Sequence, residues 1–160
     1  MNNYDVIVIG GSAAGIPAAI TARRHYPDKS IMLIRKERKV PIPCGIPYIF
    51  GTVGSTDKNL IPDAVFSNND IELLIDEVQS IERKAKSVVT AGGERISYDK
   101  LVLSTGAEPL QLPIKGIDKE NVFYAKKDVS YLDDLLHKLD NVRNVVVIGG
   151  GFIGVEFADE

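Results

Sequence analysis

One pattern occurs twice in this 160-residue sequence, and it restricts the fold more than any other feature. Tyr4 to Ile9, YDVIVI, runs directly into Gly10-Gly11-Ser12-Ala13-Ala14-Gly15, and Asn144 to Ile148, NVVVI, runs into Gly149-Gly150-Gly151-Phe152-Ile153-Gly154. Short β-branched runs of this kind read as strands buried on both faces, as in a parallel sheet. Each leads into G-x-G-x-x-G, with Ser12 at the middle glycine of the first copy and all three glycines present in the second. The first glycine permits a tight turn, the second lets backbone approach a pyrophosphate, and the third lets the following helix pack on the strand. One copy alone is also compatible with a plain glycine turn between a buried strand and a helix. The repeat is far more specific, and it predicts an α/β fold with two Rossmann-like units.

The residues after the first copy support that reading. IPAAITARRHY is Ala-rich and helix-forming, and Pro17 is tolerated only in or beside a first turn, which puts the helix start near Ser12. A phosphate would sit on that N-terminus. Ser30 to Ile34, SIMLI, is the second strand. An acid that holds ribose hydroxyls is expected about 20 residues past the fingerprint, yet Arg35 stands there, followed by Lys36 and Glu37. Either Glu37 reaches the ribose, or Arg35 and Lys36 contribute backbone and charge at the adenosine end.

The chain's single cysteine lies in KVPIPCGIPYIFG, residues 39–51. Cys44 sits between Pro43 and Gly45, on a stiffened turn before an apolar run, and Pro47 suits the first turn of a helix beginning at Cys44. A thiol at such an end meets unpaired N–H groups and the positive pole of a helix dipole, which favour thiolate. Cys44 is then a candidate nucleophile; an inert buried cysteine is the equal alternative.

Composition narrows the function classes. With 44% hydrophobic and 26% charged residues, the chain has the make-up of a soluble globular protein. A net charge of -3 without a Lys/Arg block gives no nucleic-acid footprint. No apolar stretch approaches membrane-spanning length and no signal peptide pattern opens the sequence, so no membrane partner and a cytoplasmic location are expected. One cysteine and two histidines, His25 and His137, offer no disulfide and no plausible metal site.

VIVIGGSAAG followed by PIPCGIPY resembles the amino-terminal part of the flavin-dependent pyridine nucleotide-disulfide oxidoreductases. It is most similar to the single-cysteine branch of coenzyme A disulfide reductases, NADH oxidases, NADH peroxidases and sulfur reductases. Two-cysteine members carry a C-x4-C pair that this chain lacks. The resemblance implies that FAD binds at Gly10, Gly11, Ser12, Ala13, Ala14 and Gly15, with Arg35, Lys36, Glu37 and Pro43 contributing. It makes Cys44 the redox cysteine beside the flavin, cycling between thiolate and a mixed disulfide or sulfenic acid. It implies that Gly149, Gly151, Phe152, Ile153 and Gly154 bind NADH or NADPH.

Between the two copies, a short helix is expected from about Pro62 and a strand over Ile71 to Ile75. Glu77 to Ile81, Ser87 to Ala91, Glu94 to Tyr98 and Lys100 to Ser104 read as a β-meander with Gly92-Gly93 as a hairpin turn. In the family the residue matching Val78 contacts the adenine through its backbone; ordinary strand core is the equal alternative from composition. Ser104-Thr105-Gly106 resembles the A-T-G segment that passes against the FAD pyrophosphate. Pro109, Pro113 and Gly116 make an extended connector, giving an FAD-binding domain over 1–109 and the start of an NAD(P)-binding domain over 110–160. There a strand is expected over Asn121 to Ala125, then a helix capped by Asp128 with Val129, Leu132, Leu135, Leu136 and Leu139 at helical spacing.

Val155 to Glu160 carries no helix stop signal, so a fragment of a longer chain is expected. For the intact protein the resemblance implies a homodimer passing electrons from NAD(P)H through FAD to Cys44, reducing coenzyme A disulfide, polysulfide or a similar small-molecule disulfide. The alternatives are an NADH oxidase or peroxidase working through a sulfenic acid, or a nucleotide-binding fragment without turnover.

Overall fold

A computed structural model describes residues 3–160 as two compact units. One comprises the residues up to Lys39 together with Ile61–Gly106; the other comprises Val40–Leu60 and Ala107–Glu160.

The first unit is built on a six-stranded sheet in the order β3-β2-β1-β6-β5-β4. Its strands are β1 (Asn3–Ile9), β2 (Ile31–Arg35), β3 (Glu72–Ile75), β4 (Val78–Glu82), β5 (Ser87–Thr90) and β6 (Arg95–Leu103). β1 pairs in parallel with β2 and β6, and β2 with β3. β4, β5 and β6 form the antiparallel meander. Helix α1 (Gly15–His25) connects β1 to β2, and the single turn α2 (Ala64–Ser67) precedes β3.

The alternation of side chains along a strand sorts the core into two layers. Val8, Ile31 and Leu33 face Ile16 and Ala19 of α1 and Phe66 of α2. Ile7, Ile9, Met32 and Ile34 face Val88, Ile96 and Tyr98 of the meander. All five residues of β2 are buried, so its run of apolar residues is explained by cover on both faces. Two segments expected to be separate, Glu94 to Tyr98 and Lys100 to Ser104, form one strand. β6 pairs with β5 through Ser97 and continues past exposed Asp99 and Lys100 along β1, with Lys100 opposite Val6 and Leu103 opposite Ile9.

The second unit contains 3-10 turns at Pro43–Gly45, Pro47–Phe50 and Asp57–Asn59, and helices α3 (Val129–Leu139) and α4 (Phe152–Asp159). Its core is Ile46, Ile49 and Leu132, with Phe50, Leu136 and Phe157 packed against it. The cap of α3 is as expected: the Asp128 carboxylate accepts a hydrogen bond from the Tyr131 amide at 2.7 Å. Two expected strands are absent. Asn121 to Ala125 is irregular, its Tyr124 amide donating to the Tyr131 hydroxyl at 2.9 Å rather than to a neighbouring strand. Asn144 to Ile148 forms no ladder and is open to solvent, with Val146 86% and Ile148 72% exposed. A strand needs a partner for its backbone groups and cover for its faces; this segment has neither among the described residues.

Candidate functional site

Where β1 ends, the chain turns through Gly10 at φ +108°, and its amide donates to the Ile34 carbonyl at 2.8 Å. A Cβ added to Gly10 would lie 2.1 Å from the Ser104 carbonyl oxygen, and one on Gly15 would lie 1.8 Å from the Gly10 carbonyl oxygen. Both glycines are therefore required by contact, and neither position has room for even one methyl group. The Ile16 amide reaches the Ser12 carbonyl at 3.1 Å, so the helical turn opens at Ser12, as expected from Pro17. The amides of residues 11–14 make no hydrogen bond among the described residues, leaving a row of donors at the positive end of an 11-residue helix. Ser104 closes the loop from the other side: its hydroxyl donates to the Ile9 carbonyl at 2.8 Å. Gly106, two residues on, holds φ +77°.

A cleft of about 160 Å³ opens beside this loop. It is lined by Gly10, Thr105 and Val78, by Arg35, Lys36 and Glu37 after β2, and by Ile9, Ile34, Asp76 and Glu77. Six residues singled out from the sequence thus meet in one place. Arg35 is fully buried. Its Nη2 donates to an Asp63 carboxylate oxygen at 2.5 Å and to the Arg38 carbonyl at 3.2 Å. The guanidinium lies 5.5 Å from the centre of the Phe66 ring. Nε and Nη1 are buried without a partner. Lys36 is exposed and Glu37 half-buried.

Asp76 and Asp63 were not apparent in the sequence. The Asp76 amide donates to the Arg35 carbonyl at 2.9 Å, and its carboxylate accepts the Glu77 amide at 2.7 Å and the Gly92 amide at 3.0 Å. The Thr90 hydroxyl first, then partial burial in opposition, then those two amides set its acidity, with the carboxyl held below its ordinary value. Asp76 thereby ties the entrance of β4 to the hairpin turn and positions Glu77 and Val78 at the cleft. An acid just after a strand that neighbours β2, followed by a Gly-Gly hairpin, is the only signal the sequence offers for it.

In the second unit, Cys44 is exposed, on the 3-10 turn Pro43–Gly45. The helix expected to begin at Cys44 is instead two short 3-10 turns, because Pro43 and Pro47 each restart the backbone. A dipole from a multi-turn helix therefore does not act on the thiol. What holds the turn is Asn59, which is buried. Its side-chain amide donates to the Ile42 carbonyl at 3.0 Å, the Ile42 amide donates to the Asn59 carbonyl at 2.9 Å, and a Cβ on Gly45 would meet Asn59 Oδ1 at 1.9 Å. Gly149 to Gly154 repeats the geometry of the first loop: Gly149 holds φ +127°, and a Cβ on Gly154 would lie 1.9 Å from the Gly149 carbonyl oxygen. Phe152 and Ile153 open α4 and are exposed.

Among the described residues no helix is long and apolar enough to cross a membrane, and no cluster of His, Cys, Asp and Glu could hold a metal ion.

The profile of the pyridine nucleotide-disulphide oxidoreductases matches residues 4–160. An NADH oxidase from Methanocaldococcus jannaschii is 36% identical over 95% of this chain and 36% of its own. An NAD(P)H coenzyme A polysulfide/persulfide reductase from Pyrococcus horikoshii is 34% identical over 96% of this chain and 36% of its own. The solved structure of an NAD-dependent persulfide reductase from A. fulgidus superposes with a TM-score of 0.84 at 34% identity, covering 98% of this chain and 31% of that one. The chain thus spans about a third of the length of these relatives. With the profile matched along nearly the whole sequence and the Rossmann-like fold shared with solved relatives, the chain belongs to the pyridine nucleotide-disulphide oxidoreductases, a FAD-dependent family that uses NAD(P)H.

Proposed function

We propose that the protein is a flavoprotein oxidoreductase that passes electrons from NAD(P)H through FAD to Cys44, reducing a disulfide or persulfide-type substrate. The observation that carries this is the first glycine loop, where a Cβ on Gly10 or Gly15 would strike backbone and where unpaired amides open a helix beside a cleft. That surface fits a dinucleotide. The amides of Ser12, Ala13 and Ala14 would hold its pyrophosphate, Ser104, Thr105 and Gly106 would flank it, and the cleft around Val78 would take its adenosine end. FAD, when bound, supplies a two-electron relay between a hydride donor and sulfur. The second loop, Gly149 to Gly154, with Phe152 and Ile153 opening its helix, is the corresponding site for NADH or NADPH. We assign residues 1–109 to FAD binding and 110–160 to the start of the NAD(P)-binding domain.

Cys44 is exposed on a turn fixed by Pro43 and by Asn59 beneath it, so its sulfur is held for attack without a second cysteine in the chain. The reaction it serves is reduction of Cys44 from a mixed disulfide or sulfenic acid to the thiolate, releasing a thiol, sulfide or water. The names of the P. horikoshii and A. fulgidus relatives support a coenzyme A, polysulfide or persulfide substrate. The M. jannaschii relative, named an NADH oxidase, supports oxygen as the alternative acceptor. We further propose a homodimer in the cytoplasm, with no membrane or nucleic acid among its partners.

The test is to assay the full-length, flavin-loaded protein with NADH or NADPH against coenzyme A disulfide, polysulfide, peroxide and oxygen. The fastest acceptor identifies the substrate class, and a Cys44→Ser variant loses at least about 100-fold of that rate. Full disulfide and peroxide turnover by Cys44→Ser would overturn the role of Cys44. A colourless, redox-silent protein would leave only nucleotide binding.

A further inference from the structure

We infer that Arg35, at the position where a ribose-binding acid is expected, is a positioning residue beneath the first glycine loop, and that Glu37 takes the ribose hydroxyls instead. This rests on the reading of that loop as the FAD site.

The Arg35 side chain is wholly excluded from solvent. Its Cδ packs under Gly11, where an added Cβ would come within 2.6 Å of it. Its guanidinium is paired with Asp63 and laid near the Phe66 ring, and its two remaining nitrogens are buried. A nucleotide in the cleft therefore meets the Arg35 backbone and not its charge. The planar fork and the stem together brace the glycine loop from below, linking it to the segment that begins α2.

Three acids line the cleft: Glu37, Asp76 and Glu77. Both carboxylate oxygens of Asp76 are already used by the Glu77 and Gly92 amides. Glu77 is exposed on the strand-connecting turn. Glu37 is half-buried and makes no hydrogen bond or ion pair among the described residues, so its acceptor capacity is free. A carboxylate accepting two hydroxyls is worth about tenfold or more in affinity.

ADP and its 2′,3′-dideoxy analogue, titrated by calorimetry into the flavin-free protein, separate the roles without recourse to turnover. The wild type prefers ADP by about tenfold. Glu37→Gln brings the two affinities within about 3-fold of each other, while Glu77→Gln keeps the preference. Arg35→Lys weakens both ligands together and leaves their ratio unchanged, as expected of a support. The inference is overturned if Glu37→Gln keeps the preference, or if Arg35→Lys or Glu77→Gln abolishes it. A wild type that binds ADP equally well with and without the hydroxyls overturns the ribose contact while leaving the FAD site standing. A wild type that binds neither FAD nor ADP overturns the site itself.

Discussion

Asn59 illustrates how a residue without chemistry of its own can hold the turn that carries the exposed Cys44. Its amide supports the Ile42 carbonyl from inside, and Gly45 lies against its Oδ1. Asn59→Ala leaves that carbonyl without its side-chain donor and opens a gap below the turn. It should destabilise the protein by about 1–3 kcal/mol and speed hydrogen exchange at the Gly45 and Ile46 amides, which close the turn onto Ile42 and Pro43. Unchanged exchange there would mean the prolines alone hold the turn. The sequence made Cys44 visible through its uniqueness and its proline flanks, but not the conformation it adopts. Pro at an early helical position and Pro in successive 3-10 turns look alike until the downstream packing is known. Arg35 is a second such residue: its departure from the expected acid was legible, whereas its inward turn depends on Asp63 and Phe66, 28 and 31 positions away in the chain.

Among the strands, β2 alone has every residue buried, and Leu33 at its centre is wholly excluded from water. It packs in the layer with α1 and α2, and its Cδ2 lies where a Cβ on Gly11 would come within 3.1 Å. Leu33→Ala should cost about 2–5 kcal/mol in urea unfolding, and a value below about 1 kcal/mol would contradict the layered core. The start of β2 is tied to β1 by Asp5, which accepts hydrogen bonds from Lys29 Nζ at 2.7 Å and from the Ser30 amide at 2.8 Å. The Lys29 ammonium first, then the Ser30 amide and hydroxyl, hold the Asp5 carboxyl down at about 2 from an ordinary 3.8. A depressed carboxyl stabilises the fold above its unfolded value and loses that contribution as pH falls toward its folded value. The melting temperature should therefore drop between pH 4 and pH 2 more steeply in the wild type than in Asp5→Asn; parallel curves would contradict the tie. β1 and β2 were legible because each has partners on both sides and buried faces. β6 was misread as two pieces because Asp99-Lys100 resembles a turn locally, and only the ladder with β1 carries the strand through it. Asn144 to Ile148 was misread for the converse reason: its apolar run has the strand pattern but no neighbouring strand among the described residues.

For the molecule as a whole, the twin glycine loops were the most legible feature, since the contact between third and first glycines is local and recurs in both copies. The grouping of residues 40–60 with the residues after Gly106 was not legible, because it arises from Ile46 and Ile49 packing with Leu132 across more than 80 positions of chain. The function proposed above requires a single sulfur to act as a two-electron store beyond the flavin. The most direct measurement is an anaerobic reductive titration of the full-length, FAD-loaded protein as isolated in its oxidised form. The account predicts that two equivalents of NADH or dithionite are consumed before the flavin absorbance is fully bleached, falling to one in Cys44→Ser. One equivalent in both proteins would contradict it.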